Sequence, residues 1–238
     1  MTTLQILHLY PHELGINGDV GNVMALVQRL RWRGHDAQVH AHNVGETLPD
    51  HADIVLIGSG PLSAQRAVHA DVLGISSTLR AWREQQIPIL AIAGGWQLLG
   101  EQIVMGTEHL NGAGVFPTRA VLGEQRRVSE TLVRTEQGLT LTGFENHSAT
   151  TTLLSGSPLG AVFGGFGNDG TSEGVVVDAC IGTHLHGPLL PMNPELADRI
   201  LSRALATDDR TESPQCDLAD RYAELSRAAI AHRLGCEL

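Results

Sequence analysis

Residues 88–100 read Pro88-Ile89-Leu90-Ala91-Ile92-Ala93-Gly94-Gly95-Trp96-Gln97-Leu98-Leu99-Gly100. The apolar run Ile87–Ile92 reads as a buried strand, Ala93-Gly94-Gly95 as a tight turn, and a helix begins near Trp96. A strand–turn–helix corner of this kind is how α/β hydrolytic enzymes expose a nucleophile. The apex side chain stands clear of the sheet, and the N–H that follows it points at the developing oxyanion. The flanking glycines suit a turn with unusual dihedrals and close backbone approach. Ala93, at the apex, has no atom that can attack a carbonyl.

Working outward, apolar runs alternate with helical patterns. Leu4–Tyr10, Ala37–Ala41 and Asp53–Ile57 read as strands. Val20, Val23, Leu26, Val27 and Leu30 recur at helical spacing, and Val68–Trp82 reads as one helical stretch. This alternation predicts an α/β fold with a mostly parallel sheet flanked by helices. Between Val115 and Phe163 the pattern changes to short β-like runs, Arg119–Leu122, Glu130–Val133 and Leu139–Phe144, expected as an antiparallel extension of the sheet. Gly174–Asp178 and Ala179–Leu185 read as two further strands. Pro194–Ala206 reads as a helix with Asn193 at its N-cap and Pro194 at its first position. Residues 1–206 therefore form one domain. Thr207–Pro214 is a polar linker, and Asp217–Leu234 is a C-terminal amphipathic helix with a stripe of Leu218, Tyr222, Leu225 and Ala229.

Composition narrows the function. The chain has 238 residues and a formal charge of −10. That balance disfavours a nucleic-acid surface, which needs clustered Lys and Arg. Arg29, Arg31 and Arg33 read as solvated positions around a helix end. Three cysteines without framework spacing suit a reducing, cytoplasmic setting. The N-terminal strand lacks the basic flank of a signal peptide, and no apolar run approaches the ~18 residues of a membrane span.

Four segments carry candidate chemistry. The first is the Ala93 corner. The second is Ile181-Gly182-Thr183-His184-Leu185-His186-Gly187-Pro188-Leu189-Leu190-Pro191, where a strand delivers a histidine to its carboxyl end, the ligand end of an open α/β sheet. The third is Gly58-Ser59-Gly60-Pro61 after the strand Asp53–Ile57. The fourth is Gly18-Asp19-Val20-Gly21-Asn22, between the first strand and first helix.

With Leu9-Tyr10-Pro11, Arg31-Trp32-Arg33-Gly34, Gly143-Phe144-Glu145-Asn146-His147, Gly165-Phe166-Gly167-Asn168 and the run from Gly182 to Pro194, these segments resemble the class I (triad-type) glutamine amidotransferases. The resemblance spans residues 4–206 and is narrowest to the cobyric-acid-synthase-like branch, in particular to glutaminase subunits of lipid II isoglutaminyl synthases. It implies a cysteine at position 93 that attacks the side-chain amide of glutamine and releases ammonia. It implies His186 as the acid–base, and the N–H groups of Gly94 and Gly60 as the oxyanion hole. Arg126, or else Arg127, matches the arginine that grips the substrate, and Gln97 joins the binding residues. The implied partner is a Mur-ligase-like synthetase in a heterodimer. ATP and Mg²⁺ belong to that partner, and no cofactor belongs to this chain.

The chain departs from the pattern twice. Ala93 replaces the cysteine. Pro188 stands where many class I members carry a glutamate two residues after the histidine, and the narrower branch implies an acidic residue from the synthetase instead. Cys180 does not substitute for the missing thiol: six strand residues place it about 20 Å from His186. Cys216 and Cys236 lie in the C-terminal extension.

Ala93 has three readings: a Cys→Ala substitution, natural loss of activity, or a different mechanism. Retention of Gly60, Gly94, Gly95 and His186 favours the first. Blander readings stand beside the other motifs. Asp19 and Asn22 either cap the first helix or line the site. Glu145-Asn146-His147 is either a structural polar turn or functional. His184 shares parity with His186, but no acidic or cysteine ligand has matching spacing for a metal. His35, His40 and His42 read as surface residues.

Overall fold

In the computed structural model, residues 1–207 and 213–238 are described. Among the described residues, thirteen strands and seven α-helices begin with β1 (Thr3–Leu9), α1 (Val20–Trp32), β2 (Asp36–His42), β3 (Ile54–Ile57), α2 (Leu62–Gly74), α3 (Ser76–Glu84), β4 (Ile89–Ile92) and α4 (Gly94–Leu99). There follow β5 (Gln102–Met105), β6 (Glu108–Asn111), β7 (Thr118–Arg134), β8 (Thr140–Leu153), β9 (Gly160–Gly164), β10 (Ser172–Glu173) and β11 (Val175–Val177). The chain then runs through β12 (Cys180–Thr183), β13 (Leu185–His186), α5 (Leu189–Met192), α6 (Pro194–Leu205) and α7 (Pro214–Leu234).

The first sheet has the order β11-β12-β4-β3-β1-β2. All its pairs are parallel except β11 with β12. Every residue of β3 and β4 is buried, as a central parallel strand requires. Their side chains alternate between two cores. Val55, Ile57, Ile89 and Ala91 pack under α2, α3 and α4 with Val68, Val72, Leu79, Trp82 and Leu98. Ile54, Leu56, Leu90 and Ile92 pack under α1, α5 and α6 with Val23, Leu26, Leu30, Leu189 and Ile200.

The expected antiparallel strands are present, but as a sheet of their own, β10-β9-β7-β5-β6 with β8 joining β7 to β13. The run Ala179–Leu185 does not remain one strand. Cys180–Thr183 pairs with β4 in the first sheet, whereas Leu185 and His186 pair with Glu145 and Phe144 of β8. At the crossing, side chains replace the lost ladder. Glu173 accepts from the His184 N–H at 2.6 Å, and the Thr183 hydroxyl accepts from the Leu185 N–H at 3.1 Å.

Other expectations need correction. The stretch Val68–Trp82 is two helices, α2 and α3, separated at Ile75. Asn193 stands at the N-cap of α6 and Pro194 at its first position, as expected, but the Asn193 side chain does not bond the helix N–H groups. Its amide instead binds both backbone groups of Thr142 and the Leu189 carbonyl, tying α5 to β8. His42 is buried and bonded to Asp71 at 2.9 Å. Part of the linker Thr207–Pro214 lies outside the described residues.

Arg29 and Arg33 are not solvated. Arg29 is 4% exposed and bonds Asp198 of α6 and Asp220 of α7, with contacts of 2.6–2.7 Å, and Arg33 also reaches Asp198 at 2.7 Å. This clamp ties α7 to α1 and α6. The buried side of α7 is Cys216, Ala223, Arg227, Ile230 and Ala231, while Leu218, Tyr222 and Leu225 face solvent. Asp220 is the carboxylate that α7 turns to Arg29.

Truncating Arg29 leaves Asp220 without this partner and Asp198 with Arg33 alone. Arg29→Met is expected to cost about 2–4 kcal/mol of unfolding free energy in urea titration. Leu218→Ser, on the exposed side, is expected to stay within about 0.5 kcal/mol.

Candidate active site

Ala93 sits between the end of β4 and the start of α4 with φ 43° and ψ −103°. An L-residue rarely holds this conformation, and it costs about 1–3 kcal/mol when it does. The neighbours enforce it. The Ala93 N–H donates to the Thr183 carbonyl of the adjoining strand at 2.7 Å, and the Ala93 carbonyl accepts from Gln97 at 2.9 Å. A Cβ on Gly95 would come within 2.5 Å of the Gly58 carbonyl, so only glycine lets α4 approach the loop after β3. The expected corner is therefore present, strained apex included.

His186 is wholly buried on β13, three residues after the partner of the Ala93 N–H. Its Nδ1 lies 2.9 Å from Asp19 Oδ1, and its Nε2 is buried with no hydrogen-bond partner among the described residues. With the carboxylate ionised and the ring neutral, this contact places the proton on Nδ1 and the lone pair on Nε2. The Phe144 ring packs 5.6 Å from the imidazole. Asp19 is 3% exposed, and its other oxygen accepts from the Ser59 N–H at 2.9 Å. Burial pushes its carboxyl above the usual range, against the opposing pull of His186 and Ser59. Asn22, one turn into α1, accepts from the Leu190 N–H at 2.8 Å and fixes the segment after the histidine. Asp19 thus faces the histidine rather than capping α1, and Asn22 holds the segment that follows it.

The two expected oxyanion donors come from adjacent loops. The Ser59 carbonyl accepts from Ile16 at 3.1 Å, so the planar Ser59–Gly60 peptide turns the Gly60 N–H the opposite way. The Gln65 amide holds the Gly60 carbonyl at 3.1 Å. The Gly94 N–H makes a long bond of 3.4 Å to Ser59 Oγ. Sequence reasoning quoted Ser59 without giving it a role and passed over Ile16 and Gln65, because their roles arise from loop packing rather than from a motif.

Of the two arginines, Arg126 binds the side-chain and backbone oxygens of Asn146 at 2.6 and 3.3 Å. Asn146 also donates to Asn17 at 3.3 Å, two residues before Asp19. On β8 it lies two residues beyond Phe144, which stands in register with His186. Arg127 instead lies over the Phe166 ring at 4.0 Å and lines a cavity of about 400 Å³ with His147 and Ser148. Gln97 is buried on α4.

Behind His186 lies a second buried polar group. His184 stacks on His147 at 3.8 Å and packs against Trp96 at 4.8 Å. Glu145 binds His147 at 3.0 Å and Thr131 at 3.2 Å, and it also accepts from Ser129. Burial alone would raise the Glu145 carboxyl, but these bonds hold it below the usual range. Glu173, by contrast, is pushed up by burial to about 6 despite bonds from Thr183 and His184. Burial also lifts the Cys180 thiol to about 12, leaving almost no thiolate at neutral pH.

Two outcomes follow from these environments. Ala93→Gly removes the Cβ from the strained apex and is expected to raise stability by about 1 kcal/mol in chemical denaturation. Glu173 binds its proton more tightly folded than unfolded, so its share of stability is present at low pH. That share is lost as pH rises from about 4.5 to about 6. Glu173→Gln keeps an acceptor for Thr183 and His184, and is expected to flatten the thermal-stability profile in that window.

The chain matches the CobB/CobQ-like glutamine amidotransferase domain over residues 5–194. It is 34% identical to the lipid II isoglutaminyl synthase (glutamine-hydrolyzing) subunit GatD of Staphylococcus aureus (strain N315), covering 86% of this chain and 85% of that one. The corresponding subunit of Streptococcus pneumoniae (strain ATCC BAA-255 / R6) is 30% identical, over 85% and 80%. In fold, a solved glutamine amidotransferase superposes with a TM-score of 0.58 at 17% identity, over 83% of this chain and 98% of that one. A second, from Thermotoga maritima, gives 0.54 at 16%, over 93% and 92%. The chain belongs to the CobB/CobQ-like glutamine amidotransferase family.

Proposed function

We propose that this chain is the glutaminase subunit of a lipid II-amidating synthetase, with Ala93 in the place of its cysteine nucleophile. One observation carries the reading. The apex backbone keeps its strained φ of 43°, its N–H is tied to Thr183, and three residues beyond Thr183 comes a buried histidine whose Nε2 has no hydrogen-bond partner among the described residues. Both features serve a nucleophile. The relatedness to GatD subunits along most of both chains supports the acceptor class.

With cysteine at position 93 the chemistry runs as follows. His186 Nε2 takes the thiol proton, and the sulfur attacks the side-chain amide carbon of glutamine. The Gly94 and Gly60 N–H groups receive the charge of the tetrahedral oxyanion. His186 returns the proton to the departing nitrogen, ammonia leaves, and a thioester remains. Water, deprotonated by the same Nε2, then attacks the thioester carbon. The thiolate leaves and recovers its proton from His186. The sum is glutamine plus water giving glutamate plus ammonia. Arg126 or Arg127 and Gln97 hold the substrate.

The ammonia passes to a Mur-ligase-like partner in a cytoplasmic heterodimer. That partner uses ATP and Mg²⁺ to activate the α-carboxylate of D-glutamate in the lipid II stem peptide, giving D-isoglutamine. The glutaminase half-reaction needs no cofactor. With Ala93 in place the covalent step has no nucleophile. The intact surroundings favour a Cys→Ala substitution in an active enzyme over long disuse.

The chain is expected to release no ammonia from glutamine, alone or with the synthetase. Ala93→Cys is expected to restore release beside the synthetase, together with a mass change in lipid II from carboxylate to amide. An inert Ala93→Cys chain beside its synthetase would leave a non-catalytic glutamine-binding module as the reading.

A further inference from the structure

An aspartate at the start of a helix ordinarily caps it, which is worth about 1 kcal/mol. Asp19 forgoes that role: its side chain bonds none of the first N–H groups of α1. It reaches instead across the fold to two groups far away in sequence. Oδ1 accepts from His186 Nδ1 and Oδ2 from the Ser59 N–H, each at 2.9 Å. Both the aspartate and the imidazole side chains are fully buried.

We propose that Asp19 is the positioning residue for both halves of the site, setting the ring of His186 with one oxygen and the oxyanion loop with the other. The inference rests on the glutaminase reading given above.

Three observations carry it. First, an ionised carboxylate at Nδ1 fixes the neutral imidazole with its lone pair at Nε2, the edge that has no hydrogen-bond partner among the described residues. Second, Ser59 is the residue whose carbonyl and hydroxyl meet Ile16 and Gly94, so holding its N–H holds the loop that presents Gly60. Third, close packing makes the arrangement possible. A Cβ on Gly58 would lie 2.9 Å from that of Asp19, and one on Gly21 would lie 2.5 Å from Pro188 Cγ. Glycine at both places lets the start of α1 press against the oxyanion loop on one side and the segment after His186 on the other.

The assignment also bears on Pro188. The acid that many class I members supply two residues after the histidine is absent here, yet the Nδ1 edge is already filled from within the chain. No carboxylate from a partner is needed at that edge.

Asparagine at position 19 offers one acceptor and presents N–H₂ to the other donor, so it cannot serve both groups. The test reads the His186 ring directly by ¹⁵N NMR, in the chain as it stands and in Asp19→Asn. The parent is expected to show the Nδ1–H tautomer, and the variant to move toward Nε2–H. In the Ala93→Cys background beside the synthetase, Asp19→Asn is expected to lower glutaminase kcat by about 10²-fold or more. KM for glutamine should change by less than about 3-fold. A merely structural aspartate would lower thermal stability and leave the tautomer and kcat where they were. An Nε2–H tautomer in the parent overturns the proposal without recourse to any variant. So does a variant with unchanged tautomer and kcat within about 3-fold of its parent. Should Ala93→Cys prove inert, the glutaminase reading fails on its own, and the tautomer still decides the role of Asp19.

Discussion

The site depends on a backbone that would not hold its shape alone. Ala93 sits at φ 43°, ψ −103° because hydrogen bonds on both sides leave it no other position. Its N–H is tied to β12 and its carbonyl to the first turn of α4. Strand pairing of β4 with β3 and β12 supplies the rigidity, since all four β4 residues are buried between two cores. Strain at one residue is thus balanced by packing spread over two faces of a sheet.

The same constraint explains why the site is assembled from loops at one end of the first sheet. The turns after β1, β3 and β4 bring Asp19, Gly60 and Gly94. The histidine arrives differently, on a strand that has left the first sheet for the second. The crossing at His184 is where backbone donors would go unsatisfied, and there Glu173 and Thr183 supply side-chain acceptors. Buried polar groups beside the site therefore have a structural task in joining two sheets.

Much of this was legible in the sequence, for identifiable reasons. The Ala93 corner and the β-α alternation could be read because local patterning determines them: apolar runs of strand length, and glycines where dihedrals are unusual. The turns that hold Gly60 and Gly94 could be located by the same logic, while their oxyanion role came from the resemblance. What escaped were features set by distant partners. Asp19 read equally well as a helix cap, because its spacing says nothing of Ser59 and His186. Arg29 read as solvated, because neither Asp198 nor Asp220 is near it in sequence. The stripe on α7 did not tell which face packs inward, because Asp220 finds its partner Arg29 far away in sequence. The strand through His186 read as continuous, because a change of hydrogen-bonding partner leaves no mark on apolar patterning.

Helix α1 has a property that neither of its ends shows alone. Asp19, immediately before its first residue, grips the histidine and the oxyanion loop. Arg29, ten residues further on, grips α6 and α7. At about 1.5 Å per residue, the two fastenings stand about 15 Å apart on one stiff rod. The rod has little freedom to slide, since Gly21 lies flush against Pro188 at one end and the arginine is held by two carboxylates at the other. The terminal helix and the reacting centre are therefore linked mechanically, and a load applied to the outer surface of α7 is borne in part by the carboxylate behind His186.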